Sequence, residues 1–353
     1  MSSIKQEREK IDALDKNIVK LLNQRAAVAK EIGAQKAKAG ENVYDPSREK
    51  EIIKRLASKK DVLSFDDMTA IYTEIISACR NLQTATKVAF LGPWATWTHQ
   101  AALKKFGSSG LFVPCSDVSG VMEEILNGRA DFGVVPIENS SEGGVNITLD
   151  LLVDTNLSVC GEISIAVEQS LLVKGDGGQI LRIYSHPQAL AQCRKWLSKN
   201  YPDVELIPVS STAEAAKKVV KESFSAAIAS EAAAKIYKLH ILQAGIQDGK
   251  QNYTRFFVLG HEKTSPTGDD KTSIVFKLKT DHCGALCEVL KIFDKNKINM
   301  AKIESRPTKK KAWEYVFFVD IIGHSKDKKV AQTLDDVAKA CAFFKNLGSY
   351  PRA

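Results

Sequence analysis

Arg25 and Lys36 lie 11 residues apart, close to three helical turns, so on a helix they share one face. Arg48 and Glu49 open a second helical stretch and Gln83 closes a third. Such a set suits a pocket for a small dianion, with arginine forks gripping carboxylates, but from spacing alone a solvated helical face is the more ordinary reading. A second group of polar residues stands at the ends of apolar runs: Glu138-Asn139-Ser140 ahead of Gly143-Gly144, Ser185-His186-Pro187, and Thr254-Arg255-Phe256. That is where α/β proteins place ligands, although each string alone also reads as a turn or a strand start. Ser185 beside His186 is not read as a nucleophile and its base, because no G-x-S-x-G turn exists and no other His has a motif around it. A third group pairs Gly284-Ala285-Leu286 with Glu304-Ser305-Arg306-Pro307, which begins 18 residues after Leu286. The glycine opens a helix whose free N–H groups suit a carboxylate, and GAL alone reads as helix packing.

These groups fall in three stretches of different texture. Residues 4 to about 37 read as one helix, with Ile4, Ile11, Leu14, Ile18, Leu21, Leu22, Val28 and Ile32 at three- and four-residue steps. It is too long for a domain of about 85 residues, so it needs a partner, expected to be another copy of the chain. Gly40 ends it, Asp45-Pro46 opens a second helix, and a third runs from about Phe65 to Leu82. From Lys87 short β-branched runs (VAFLG, FGVVPI, LSVCGEISIAV, SLLVK, IYSH, AAIAS, FFVLG) alternate with helical stretches, indicating an α/β unit of two lobes. After TSPTGDD the pattern is strand, helix, strand, strand, helix, with VAQTLDDVAKACAFF read as the last helix: an α+β ferredoxin-like arrangement. The expected boundaries are 1–85, 87–263 and 271–353.

The chain has 353 residues, 44% hydrophobic and 26% charged, with no apolar stretch long enough to cross a bilayer, so a membrane protein is excluded. The charged start, MSSIKQEREK, has no apolar signal region. The net charge of +8 lacks the clustered bases and interleaved aromatics of a nucleic-acid binder. The densest run, Lys309-Lys310-Lys311, reads as a solvated hairpin turn. Seven cysteines without a CxxC pair, and without a His at zinc-finger spacing, read as reduced and mostly buried thiols in a cytoplasm. Cys283 and Cys287, one turn apart, read as packing residues.

The ordered set R8-E-K-I-x-x-L-D15, R25, K36, D45-x-x-R48-E49 and I-S-A-C79-x-x-x-Q83 resembles the all-helical class of chorismate mutase. The strings at 88–103, 134–152, 184–193, 211–219 and 252–260 resemble prephenate dehydratase, with Ala95 where that family usually has Gly. GAL, ESRP and LGSYP (347–351) resemble an ACT regulatory domain of the phenylalanine-sensing type. The resemblance implies that Arg8, Arg25 and Arg48 grip the carboxylates of chorismate. Lys36 and Gln83 would donate to its ether oxygen, Asp45 and Glu49 would order the pocket, and Cys79 would line it. It implies that Thr254 assists the leaving hydroxyl of prephenate, with Arg255 the nearby cation. Thr96, Thr98, Asn139, Ser140, Ser185, Gln192 and Phe256 would bind that substrate. Gly284, Ala285, Leu286, Glu304, Ser305, Arg306 and Pro307 would bind L-phenylalanine as a feedback inhibitor. No metal or organic cofactor is required, and a homodimer or a dimer of dimers is expected. The rival readings are a non-catalytic ligand receptor with an amino-acid sensor, and a helical region that keeps the mutase fold without its activity. The polar strings argue against the first, and retention of Arg25, Lys36, Arg48 and Gln83 against the second.

Overall fold

The computed structural model describes residues 3–40, 43–57, 62–249, 251–280, 282–308 and 313–353. Lys309-Lys310-Lys311, expected as a hairpin turn, lies outside the described residues. The chain separates into two compact units, 1–87 with 104–111, and 88–103 with 112–353. The helical, two-lobed α/β and ferredoxin-like regions read from the sequence are all present.

The first unit is helical. Its first helix, Ile4–Ala39, opens on a capping box between Ser3 and Gln6 and stops at Gly40, which has the left-handed φ of 66° that glycine adopts without strain. Asp45 caps Pro46–Ala57 by accepting from the Arg48 N–H at 3.0 Å, and Ser64 caps Phe65–Asn81. Gly33 is the buried residue of the first helix, and a Cβ there would lie 2.5 Å from Gln83 Cγ. That missing side chain lets the end of the third helix approach the first.

In the second unit one sheet runs in the order Leu111–Cys115, Lys87–Leu91, Phe132–Asn139, Tyr253–Gly260, Ser158–Ala166. Another runs His240–Gln243, Ser170–Val173, Ser225–Ala229, Arg182–Ser185, Glu205–Pro208. These are the two lobes. The antiparallel C-terminal sheet runs Met300–Pro307, Tyr315–Ile322, Asp270–Leu278, Cys341–Pro351, with helices Ala285–Lys295 and Lys328–Ala340 on it. The sequence reading took residues 341–344 as helix. They instead begin an eleven-residue strand paired with Asp270–Leu278, because the helix passes straight into extended backbone at Cys341 with no Gly, Pro or Asn to mark the change. This sheet shares a core with the first lobe: Val275, Phe318, Leu347 and Tyr350 pack with Phe257, Leu259 and Val159. Cys283 and Cys287, read as packing residues, are exposed.

The helical unit is closed by Arg80, which no motif singled out. Its Nη1 donates to Glu49 Oε1 at 2.6 Å, its Nη2 donates to the Phe106 carbonyl at 2.7 Å, and its guanidinium lies over the rings of Tyr44 and Phe106. Burial pushes the Glu49 carboxyl above its ordinary value, against the pull of Arg80. Removing one member of a buried pair leaves the other uncompensated. Arg80→Met should therefore lower the stability of the helical unit by about 3 kcal/mol, read from the urea midpoint of the helical circular-dichroism signal, and Arg80→Lys should cost less. An unchanged midpoint for Arg80→Met would show that the pair contributes nothing.

Candidate active sites

Two polar sites emerge, one in each unit. In the helical unit Lys36 stands one turn beyond Gly33, where Gln83 packs, and its Nζ donates to the Val43 carbonyl at 3.4 Å. Gln83 Nε2 reaches the Cys79 carbonyl at 3.5 Å, which ties those two positions together one turn apart. Arg25 is half-buried, and its Nη1 is shielded from water without a hydrogen-bond partner. Glu49 is held by Arg80. Arg48 is exposed and paired with Glu51 at 2.7 Å, and the Asp45 carboxylate is spent on its helix cap. Arg8 is exposed and, 17 residues from Arg25 on one continuous helix, about 25 Å away from it.

The second site is a cleft of about 710 Å³ in the α/β unit. Two paired strands position its polar centre. Thr254 lies opposite Asn139 in the antiparallel register between Phe132–Asn139 and Tyr253–Gly260. Asn139 Nδ2 donates to Thr254 Oγ1 at 2.9 Å and to Asn252 Oδ1 at 2.9 Å, while its Oδ1 accepts from the Ser141 N–H. With one lone pair of Oγ1 taken, the Thr254 hydroxyl keeps its own hydrogen to donate into the cleft. Phe256, two residues on, lines the same cleft, as do Thr96, Thr98 and Gln192.

Three residues expected at this site are not among those lining it. Ser185 is fully buried and donates to the Ile228 carbonyl at 2.6 Å. Ser140 Oγ accepts from the Tyr253 N–H at 2.9 Å. Arg255, expected as the cation beside the substrate, points to the other face of its strand, because alternate strand residues face opposite ways. There its Nε donates to Glu162 at 2.7 Å, its Nη2 to the Tyr350 hydroxyl at 2.9 Å, and its Nη1 to Asp320. Burial opposes its charge, and Tyr350, Asp320 and Glu162 together hold it.

The sequence reading missed Gln169, Asn146 and the cleft position of His186. His186 was visible only as part of a turn string. It caps Pro187–Gln192 by accepting at Nδ1 from the Gln188 N–H, and burial lowers its pKa against the pull of Glu142. No Lys or Arg is among the described residues lining the cleft. The starts of several helices are: Thr96 to Thr98, Val145-Asn146 and Ser211-Thr212. Free N–H groups at helix starts carry partial positive charge, suited to carboxylates. Ala95, where the dehydratase family usually has Gly, takes a φ of 70° in the loop beside the cleft.

In the C-terminal sheet Gly284 caps Ala285–Lys295 with a φ of 88°. The strand Met300–Pro307 alternates, with Ile303, Ser305 and Pro307 exposed on one face and Lys302, Glu304 and Arg306 half-buried on the other. The covered set meets the α/β lobe. Lys302 Nζ bridges Glu138 at 3.2 Å and Glu304 at 2.9 Å, and Arg306 bonds Asp150 at 3.0 Å. Glu304 also presses on Gly144, where a Cβ would lie 2.1 Å from its Oε1.

Comparison with known proteins follows the same division. The chorismate mutase type II family matches residues 7–84, prephenate dehydratase 88–264, and the ACT domain 272–339. The bifunctional chorismate mutase/prephenate dehydratase of Aquifex aeolicus is 47% identical, over 100% of this chain and 99% of that one. The chain belongs to this bifunctional family. The enzyme of the same name from Pseudomonas aeruginosa is 42% identical over 98% of this chain and 97% of its own. A prephenate dehydratase from Arthrobacter aurescens, solved with L-Phe, superposes with a TM-score of 0.71 at 34% identity, covering 76% of this chain and 90% of that one.

As a bifunctional chorismate mutase/prephenate dehydratase, the chain acts in phenylalanine biosynthesis. The mutase step is an intramolecular rearrangement. It needs one compact conformer held and charge on the ether oxygen stabilised, which fixed cations and amides supply without proton transfer. The dehydratase step loses CO2 and the ring hydroxyl together as the ring becomes aromatic, so what it asks of the protein is help for the departing oxygen. Thr254→Val should cut dehydratase turnover by roughly ten- to a thousand-fold while Thr254→Ser retains most of it, with mutase turnover unchanged in both. Dehydratase assays on the two variants check this. Thr254→Val within about twofold of the native rate would remove the hydroxyl from the mechanism.

Proposed function

We propose that the helical unit carries the mutase site and the cleft around Thr254 the dehydratase site, within functional segments 1–85, 87–263 and 271–353. The third segment would bring feedback inhibition by L-phenylalanine. The observation that carries the dehydratase assignment is the Asn139–Thr254 pair, which frees one hydroxyl hydrogen inside a cleft of substrate size. A cytoplasmic setting is proposed, as for a biosynthetic enzyme of this family; among the described residues no helix is long and apolar enough to cross a membrane.

The mutase site is proposed to need two chains. Ile11, Leu14, Ile18, Leu21, Val28 and Ile32 are exposed along the first helix. Arg8, Arg25 and Lys36 fall in the same three- and four-residue progression (8, 11, 14, 18, 21, 25, 28, 32, 36). A second copy packed antiparallel on this stripe would bury the apolar residues and carry its own Arg8 to Arg25 and Lys36, twice over by symmetry. Mixing Arg8→Ala chains with Arg25→Ala chains, each nearly inactive as a mutase, should restore up to about half the native activity per heterodimer, since one of two symmetry-related sites is whole. Shown subunit exchange without recovered activity would place Arg8 outside the shared site.

For regulation, the alternation of Met300–Pro307 suggests a division of labour within ESRP. Ser305, with the Gly284–Leu286 helix start, is proposed to meet the effector. Glu304 and Arg306 form the joint to the catalytic lobe. Phenylalanine would act by shifting Glu304, and with it Gly144 and the Lys302–Glu138 pair, at the rim of the Thr254 cleft. Deleting the whole segment would strip a shared core, so a point change tests this better. Glu304→Gln should raise the phenylalanine concentration for half-inhibition of dehydratase by about tenfold while calorimetry still shows phenylalanine bound. Unchanged inhibition would exclude this joint as the route.

A further inference from the structure

Gln169 belongs to no motif, yet its side chain is 2% exposed and lines the cleft with Thr254, Phe256 and Gln192. Its backbone is fully engaged: the N–H donates to Gln247 Oε1 at 2.9 Å and the carbonyl accepts from the Ile246 N–H at 2.9 Å. Its Nε2 donates to Gln192 Oε1 at 3.3 Å. Its Oε1 is buried with no hydrogen-bond partner. A buried acceptor left unmade destabilises the folded protein, so its presence in a ligand cleft calls for a donor brought by the ligand.

The chemistry of prephenate narrows that donor to one group. At neutral pH its two carboxylates and its keto oxygen only accept hydrogen bonds, and its ring hydroxyl alone donates. We propose that Gln169 Oε1 accepts a hydrogen bond from the ring hydroxyl of prephenate, making Gln169 a residue that selects and orients the substrate for the dehydratase step. This rests on the cleft being the dehydratase site. Thr254 and Gln169 then address the same oxygen in opposite senses. Thr254 donates to it, and its own hydrogen is held by Gln169. As the electron pair of the breaking C–CO2 bond enters the ring, that of the C–O bond leaves with the oxygen as hydroxide, which keeps its hydrogen on Gln169. The Gln169–Gln192 hydrogen bond fixes both amides and leaves the Gln192 NH2 available to a carboxylate.

The test compares two inhibitors on native enzyme and on Gln169→Met: ring-saturated tetrahydroprephenate, which cannot aromatise, and its counterpart lacking the ring hydroxyl. On the native enzyme the hydroxyl should tighten inhibition about tenfold, and on Gln169→Met by no more than about twofold. Mutase turnover should be unchanged. Gln169→Leu serves in the same comparison if the Met variant folds poorly. An equal hydroxyl contribution in native and variant overturns the assignment, as does equal weakening of both inhibitors. Thr254→Val separates the two failures. If it leaves dehydratase turnover intact and Gln169→Met weakens neither inhibitor, the cleft reading has failed. If it is inactive while the hydroxyl contributes equally with and without Gln169, only the Gln169 assignment has failed.

Discussion

The antiparallel pairing of Phe132–Asn139 with Tyr253–Gly260 is the contact on which the rest of the α/β unit depends. It sets Thr254 opposite Asn139 and Arg255 opposite Glu138. Because strand side chains alternate, one strand serves two faces. Thr254 and Phe256 line the cleft, while Arg255 and Phe257 face the C-terminal sheet and meet Asp320 and Tyr350 there. A slip of one residue would exchange these sets, placing a guanidinium in the cleft and the threonine in the joint. On the proposed assignments, register is both a catalytic and a regulatory constraint. It is pinned on the joint side by a buried ionic cluster: Glu162 accepts from Arg255, from Lys271 and from the Ala353 N–H.

That cluster also bears on how a distant sensor can act. Arg255 removed from its carboxylates would leave several buried anions uncompensated, so the joint resists small deformation. Lys302, Glu138, Glu304 and Gly144 form a second connection, with more exposure at Glu138 and at Glu304. A shift of this second connection would reach the cleft through the glycine loop at 143–144, which lines it.

Much of this was legible in the sequence. The helix of 36 residues, its stop at Gly40 and the Asp45 cap follow from periodicity and cap chemistry. The α/β alternation and most of the third sheet follow from short apolar runs. Arg80 was not legible, because its acceptor on Phe106 lies 26 residues on and meets it only in the folded unit. Arg255 is expected beside the substrate from its adjacency to Thr254, but the strand period puts neighbours on opposite faces and its side chain lies with Glu162, Asp320 and Tyr350. Gln169 carries no spacing signal at all. Only the three-dimensional account of donors and acceptors, which leaves its Oε1 alone, draws notice to it.

The two proposed sites also differ in how they meet carboxylates, and the reactions explain the difference. The mutase rearrangement keeps both carboxylates and builds charge on an ether oxygen, so cations such as Arg25 and Lys36 can grip the substrate and still favour the transition state. The dehydratase reaction destroys a carboxylate. A guanidinium paired with the departing group would stabilise the ground state more than a transition state in which that charge is flowing into the ring, and so would slow the step. A cleft lined by helix starts, amides and hydroxyls, with no Lys or Arg among its described lining, can orient the anion while holding it less tightly than an ion pair. On the proposed assignment, an Arg255 turned away from the cleft keeps its cation from the departing carboxylate and places that charge among Glu162, Asp320 and Tyr350.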